Sequence, residues 1–92
     1  MKKRDIHVIK KKGHMEVFQD KKVFTVVYEA CLNAHLSKEK ANEIAKKVTN
    51  ELNKRIKGRE VKSDFLFKNI IDILKKYDKD AAFLYETHRD VS

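Results

Sequence analysis

Near its start this chain changes hydrophobic period, and that change limits the fold more than any other feature. Ile6 and Val8 alternate with His7 and Ile9, Met15 and Val17 alternate with His14, Glu16 and Phe18, and Lys12-Gly13 separates the two runs. Two period-2 segments around a glycine read as a β-hairpin. Lys-Gly is a weaker turn signal than Asn-Gly, but Gly13 supplies the positive φ that a tight hairpin needs. From Asp20 onward the spacing becomes helical: Val23, Val27, Ala30, Cys31 and Ala34 share one face, with Asp20 as N-cap and an end at His35 or Leu36.

Three further helices follow. Ser37 is expected to cap the second, whose apolar stripe is Ala41, Ile44, Ala45, Val48, Leu52 and Ile56, with Gly58 as its stop. Arg59 to Lys62 contains Val61 and leaves room for a short third strand before Ser63 caps the next helix. Leu66, Ile70, Ile71 and Leu74 form that helix's core face. Tyr77-Asp78-Lys79-Asp80 interrupts the pattern, and Ala81, Ala82 and Tyr85 support a short final helix. The expected architecture is α+β and mostly α. A hairpin over 5–19 caps a four-helix bundle built from 20–36, 37–57, 63–76 and 79–90, in a single domain over 1–92.

A chain of 92 residues can bury one core without disulfides or a structural metal. The absence of proline and a hydrophobic fraction of 41% favour a packed helical domain, although 39% of residues are charged. A net charge of +8 and a pI near 9.6 imply an anionic partner. Cys31 is the only cysteine, so neither a disulfide framework nor a zinc ribbon is available, which fits a reducing, cytoplasmic setting. No apolar run approaches the ~20 residues of a membrane span, and no signal-peptide core follows Met-Lys-Lys-Arg.

With only two glycines, Gly13 and Gly58, neither a P-loop nor a GxGxxG turn can be present. A phosphate site must then be assembled from lysines. Lys10 and Lys11 follow Val8 on the first strand, while Lys21 and Lys22 open the first helix, where backbone N–H groups and the helix dipole also favour an anion. Lysine acts as a point charge, suited to a flexible triphosphate more than to bidentate base recognition. Taken by charge alone, these lysines read as a solvated face. Glu16 among them reads either as a charge balancer or as an acceptor for an exocyclic amino group such as adenine's. Gln19 is a turn residue or a base-edge contact, and Phe18 is core or a ring-stacking wall. His7, His14, His35 and His88 are scattered and read as surface or satisfied histidines, and Cys31 as a small buried hydrophobe. No nucleophile and base pair up, so no catalysis is expected.

Val8-x-Lys10-Lys11-x-Gly13, then Glu16-x-Phe18 and Lys22-Val23, resembles the ATP-cone, the regulatory nucleotide-binding module found at the N-terminus of many ribonucleotide reductases. Val61-x-Ser63-x-x-Leu66 resembles that family's Ile-x-Thr/Ser-x-x-Ile helix start, and Ala82-x-x-Tyr85-x-x-x-Arg89 its closing Ala-x-x-Tyr-x-x-x-Arg. The resemblance covers roughly the whole chain. It implies an ATP or dATP site between a β cap and four helices, with Mg²⁺ as a companion it leaves open. In that site Lys10, Lys11 and Lys22 would hold phosphates, Glu16 and Gln19 would face the adenine edge, and Val8, Phe18 and Val23 would wall the base. Ser63 would lie near the sugar or phosphates and Arg89 would close the far side. Two departures stand out: Lys10-Lys11 replaces the family's usual Lys-Arg pair, and Phe67 stands where some members place a phosphate-contacting histidine.

The function expected from this resemblance is a stand-alone allosteric module that binds adenine nucleotides and signals by conformational or oligomeric change. Its partner would be a ribonucleotide reductase-like enzyme in trans or another copy of itself. The alternative is a basic nucleic-acid-binding domain whose lysines would give salt-dependent, weakly specific contacts. A third reading is an interaction module of the same fold with a degraded nucleotide site.

Overall fold

In the computed structural model, which describes residues 6–10 and 12–87, the N-terminal β region and the helices share one core. The hairpin consists of β1 (His7–Ile9) and β2 (Met15–Val17), paired antiparallel with His7 opposite Val17, Val8 opposite Glu16 and Ile9 opposite Met15. Its turn closes through Lys10 N–H to the His14 carbonyl at 2.8 Å and Gly13 N–H to the Lys10 carbonyl at 2.9 Å, with Gly13 at φ +81°. A third strand, β3 (Glu60–Lys62), pairs parallel to β1 on its other side, giving the order β2-β1-β3. Val8 and Val61 are in register and both buried, so the inner face of the sheet packs on the helices. Met15 and Val17 lie on the opposite face and remain about half exposed, at 52% and 54%.

Four helices make up the rest: α1 (Asp20–Asn33), α2 (Lys38–Arg55), α3 (Ser63–Tyr77) and α4 (Lys79–Thr87). The expected fold class, α+β and mostly α with a small N-terminal sheet, is the one observed. α1 packs against α2 and α4, and α3 packs against the same two helices. Ala41, Ala45, Ala81 and Ala82 are buried at these contacts, and their small side chains let the helices approach closely around Val27, Val48, Leu52, Ile73 and Leu74. Thr49 is the one buried polar residue among those described, and its hydroxyl donates to the Ala45 carbonyl at 2.8 Å, satisfying it within α2. None of the described helices is long and apolar enough to cross a membrane.

Several helix ends differ from their sequence expectations, each for a local reason. Ser37 caps α2 as expected, accepting from the Lys40 N–H at 3.1 Å. Asp20 is not an N-cap; that position falls to Gln19, and the Asp20 carboxylate instead accepts from the Asn53 amide on α2 at 2.9 Å. Ser63 is likewise the first helical residue of α3, after Lys62 at the cap position. α1 stops at Asn33, short of Leu36, because His35 turns left-handed at φ +69°. His35 N–H then bonds the Leu32 carbonyl at 3.0 Å and Leu36 N–H the Cys31 carbonyl at 3.1 Å, a Schellman closure without glycine. α2 ends at Arg55, ahead of Gly58, since Ile56 leaves the helix in extended geometry and is buried. The break between α3 and α4 shrinks to Asp78, whose side chain accepts from the Ala81 N–H at 2.8 Å. The end of the last expected helix, residues 88–90, lies outside the described residues.

Two polar clusters about one turn apart fasten α2 to α3. Arg55 donates to Asn69 at 2.8 Å and to Asp72 at 2.9 Å. Lys76 donates to Glu51 at 2.7 Å, and the Tyr77 hydroxyl donates to the other Glu51 oxygen. The Lys76 hydrogen bond, then that of Tyr77, holds the Glu51 carboxyl below its ordinary value of 4.5. A depressed folded pKa contributes stability above the unfolded value, lost as pH falls toward and through the folded one. Glu51→Gln is therefore expected to lower the denaturation midpoint at pH 7 and to have a much smaller effect well below pH 4.5, read from denaturant melts at both pH values. His35→Gly removes the Cβ strain of the left-handed position and is expected to stabilise by roughly 0.5–1 kcal/mol after the added flexibility of glycine is counted, measured in the same melts.

Candidate functional site

Where β1 ends, a cleft of about 510 Å³ opens between α1, α3 and α4. Lys10, just after β1, lines it from the first residue of the hairpin turn. α1 contributes Lys22, Val23, Val26, Glu29, Ala30 and Asn33; α3 contributes Ser63, Leu66, Phe67 and Ile70; and α4 contributes Leu84 and Tyr85. The Phe67 and Tyr85 rings face each other across the α3–α4 wall, 5.5 Å between centroids and tilted by 35°. One end of the cleft is cationic and the middle is apolar.

The cationic end is built by strand pairing. Ile9 and Lys62 are in register on parallel strands, so the next residues, Lys10 and Ser63, emerge side by side. Lys10 enters the turn while Ser63 starts α3. No side chain caps that start, leaving the backbone donors and positive dipole of a fifteen-residue helix at the cleft. Glu16 completes the arrangement. The register puts it on the inner face opposite Val8, where its carboxylate meets Lys10 at 2.9 Å and Lys22 at 3.6 Å. The hydrogen bond from Lys10, then the charges of Lys10 and Lys22, hold its carboxyl below the usual range, so it is anionic at neutral pH. In this arrangement Glu16 balances the charge of both lysines.

Lys10, Lys22, Val23, Ser63 and Phe67 thus line one cleft, and Glu16 is ion-paired to two of them. Val8, Phe18 and Gln19 do not line it. Val8 is buried in the core under the sheet, Phe18 packs on the edge of that core, and Gln19 is exposed at the cap of α1. Lys11 and Arg89, with His88, lie outside the described residues. The cleft also holds Val26, Glu29, Asn33, Leu84 and Tyr85, to which sequence reasoning assigned no ligand role. The α1 group follows a second stripe beside the core stripe, visible only once the core face is known. Among the described residues no three His, Cys, Asp or Glu side chains converge on a metal position.

The model of the ATP cone domain family matches residues 6–90 of the sequence. This chain belongs to the ATP-cone family. At its coarsest, that membership makes it a nucleotide-binding regulatory module. One relative, the transcriptional repressor NrdR of Carboxydothermus hydrogenoformans, is 31% identical over 93 residues, an alignment covering 97% of this chain and 60% of the relative. The chain therefore spans less than two thirds of the length of the curated protein it matches.

The cleft of this ATP-cone suits a nucleotide. Its volume falls in the range of about 300–1,000 Å³ typical of small-molecule sites, with apolar walls and a few convergent polar groups. Lys10, Lys22, the Ser63 hydroxyl and the α3 N-terminus would hold phosphates, and Val23, Leu66, Phe67 and Tyr85 would enclose the nucleoside. An incoming anion competes with the Glu16 carboxylate for both lysines. Glu16→Gln is accordingly expected to tighten binding of inorganic triphosphate by about three- to tenfold, measured by calorimetry at low salt.

Proposed function

We propose that this ATP-cone binds adenine nucleotides, ATP or dATP, in the cleft and passes the occupied state to a partner as a change of shape or assembly. The observation that carries this reading is the convergence of Lys10, Lys22, Ser63 and the start of α3 on one end of a cleft with apolar walls. Charge and hydrogen-bond donors collect where a triphosphate would lie, and ring surface collects where a nucleoside would. A regulatory role requires that the ligand distinguish two states of the protein. This cleft is shared by a strand end and three helices, so a ligand in it contacts groups on separately movable elements. The role is one of binding; no step of catalysis is part of it.

A nucleic acid is a second partner with support of its own. The relative is named a transcriptional repressor, and this chain carries a net charge of +8. In this second reading the nucleotide is the signal and binding to nucleic acid is the output, with the nucleotide shifting affinity for DNA by the same factor that DNA shifts affinity for the nucleotide.

Calorimetric titration of the chain with ATP, dATP, GTP and ADP at near-physiological salt, with mixed-sequence duplex DNA alongside, separates these possibilities. Saturable binding of ATP or dATP, with GTP weaker, is expected. Lys10→Glu combined with Lys22→Glu is expected to reduce nucleotide affinity at least a hundredfold while circular dichroism stays native. Unchanged ATP affinity in that variant would sink the phosphate site. Binding of DNA alone, with a steep salt dependence and no response to nucleotide, would favour a plain nucleic-acid-binding domain instead.

A further inference from the structure

The connection from α2 to β3 carries charge that the cleft does not use. Between Lys54 and Lys62 five of nine residues are Lys or Arg and Glu60 is the one acid, a net charge of +4 against +8 for the whole chain. Arg55 is engaged in fastening α2 to α3, since Asn69 and Asp72 take its guanidinium. Lys54, Lys57, Arg59 and Lys62 are all exposed, and among the described residues no ion pair neutralises any of them. Lys54 lies in the last turn of α2, where the helix dipole favours a cation. The other three lie past the end of the helix, beyond the reach of that explanation. Gly58 turns the chain between them at φ +77°, and nothing lies within 4 Å of where a side chain would start there, so the loop stands out into solvent. Beside it Lys57, Lys62 and the exposed ring of Phe65 line a groove of about 270 Å³. Because β1 and β3 run parallel and lead into Lys10 and Ser63, Arg59 sits at the other end of the sheet, about 13 Å from Ser63 along the strand. The basic loop and the cleft are separate sites.

Resting on the nucleic-acid reading above and independent of the nucleotide reading, we propose that this loop is the surface that takes the phosphate backbone of a nucleic acid duplex. Composition decides between a nucleic acid and an acidic protein. The core of a protein interface is depleted in lysine and built on buried aromatic anchors, whereas a nucleic-acid interface is polar and strongly positive. Here four cations surround a single ring. Duplex DNA presents a phosphate about every 3.4 Å along each strand, so cations strung along a loop and a strand meet successive phosphates without base contacts. Lysine, three of the four, is a point charge on a flexible stem, which suits that role better than bidentate reading of a base edge. The contact is therefore indifferent to sequence and sensitive to salt.

The test measures binding of the full chain to DNA duplexes of two unrelated sequences, and to an RNA duplex of the same length, across a salt series. Lys57→Gln with Arg59→Gln is compared with Lys38→Gln with Lys40→Gln, which removes the same charge roughly 25 Å away at the start of α2. All four positions are exposed, and matching thermal melts are expected. The loop variant should lower the slope of log K against log salt by about two and weaken both DNA sequences alike by about fiftyfold at about 0.1 M salt, whereas the α2 variant should stay within about threefold. Whichever duplex binds, DNA or RNA, should show the loop-variant loss, and the tighter of the two identifies the source. Equal losses in the two variants overturn the assignment, because net charge alone would then explain binding. So does an unchanged slope in the loop variant, which leaves the nucleic-acid reading standing. Displacement of the duplex by poly-glutamate at matched charge overturns it in favour of an acidic protein. Absence of duplex binding by the unaltered chain overturns the nucleic-acid reading and this assignment with it, and leaves the nucleotide reading untouched.

Discussion

The parallel pairing of β1 with β3 is the constraint on which the rest of the arrangement hangs. It closes a loop of some fifty residues, holding α1 and α2, with three ladder pairs, and loop closure over that length is costly in entropy. Three-residue strands offer few hydrogen bonds to offset that cost. Burial of Val8 against Val61, both over the helical core, supplies the remainder, and His7 N–H reaching the Arg59 carbonyl at 2.8 Å extends the pairing by one more bond. The same pairing sets Lys10 beside Ser63. Stability and cleft are thus built by one contact: separating the strands would expose two buried valines and part Lys10 from Ser63.

Electrostatics at that junction are arranged around a spare anion. Two lysines brought together at the mouth of a cleft repel one another, and Glu16 relieves this from the inner face of β2. A phosphate group supplies more negative charge in the same place and can take over the balancing role, which releases the carboxylate rather than stranding an unpaired charge. The cleft is in this sense charged for exchange. On the opposite wall Phe67 packs its ring against Tyr85 and offers an anion no charge. The cationic groups of the cleft are Lys10 and Lys22, beside the α3 N-terminus.

Much of this was legible in the sequence, because the signals were local. The change from period two to period three and a half around Asp20, the turn at Gly13 and the cap at Ser37 each depend on neighbours a few residues away, and each element appears where those signals put it. Ends governed by distant partners were not legible. Asp20 has the composition of an N-cap, but Asn53 on another helix takes its carboxylate. His35 gives no glycine signal, yet it takes the left-handed conformation at which α1 ends. At the site, the resemblance pointed to Lys10, Lys22 and Ser63, which line the cleft, and to Val8, Phe18 and Gln19, which do not. Val8 is buried, Phe18 packs on the core edge and Gln19 is exposed at the α1 cap. The α1 stripe from Lys22 to Asn33 was hidden because its mixture of cation, hydrophobe, acid and amide has no periodic apolar signal of its own.

The distribution of packing around the cleft bears on how occupancy could be transmitted. α1 and α3, the longer helices that line the cleft, each contribute four buried residues, so neither shifts without disturbing the centre of the core. α4 contributes only Ala81 and Ala82, both small, and Asp78 caps its start. Its next turn places Leu84 and Tyr85 in the cleft and the ring of Phe83 in solvent. An alanine surface offers weak steric resistance to sliding, and local opening is least costly where little apolar area is buried. Of the helices that line the cleft, α4 therefore buries the least side chain in the core, and its Phe83, at 64%, is more exposed than Phe65 of α3 at 38%. Cleft-lining and outward-facing side chains are consecutive on the same short helix, Phe83 directly preceding Leu84 and Tyr85.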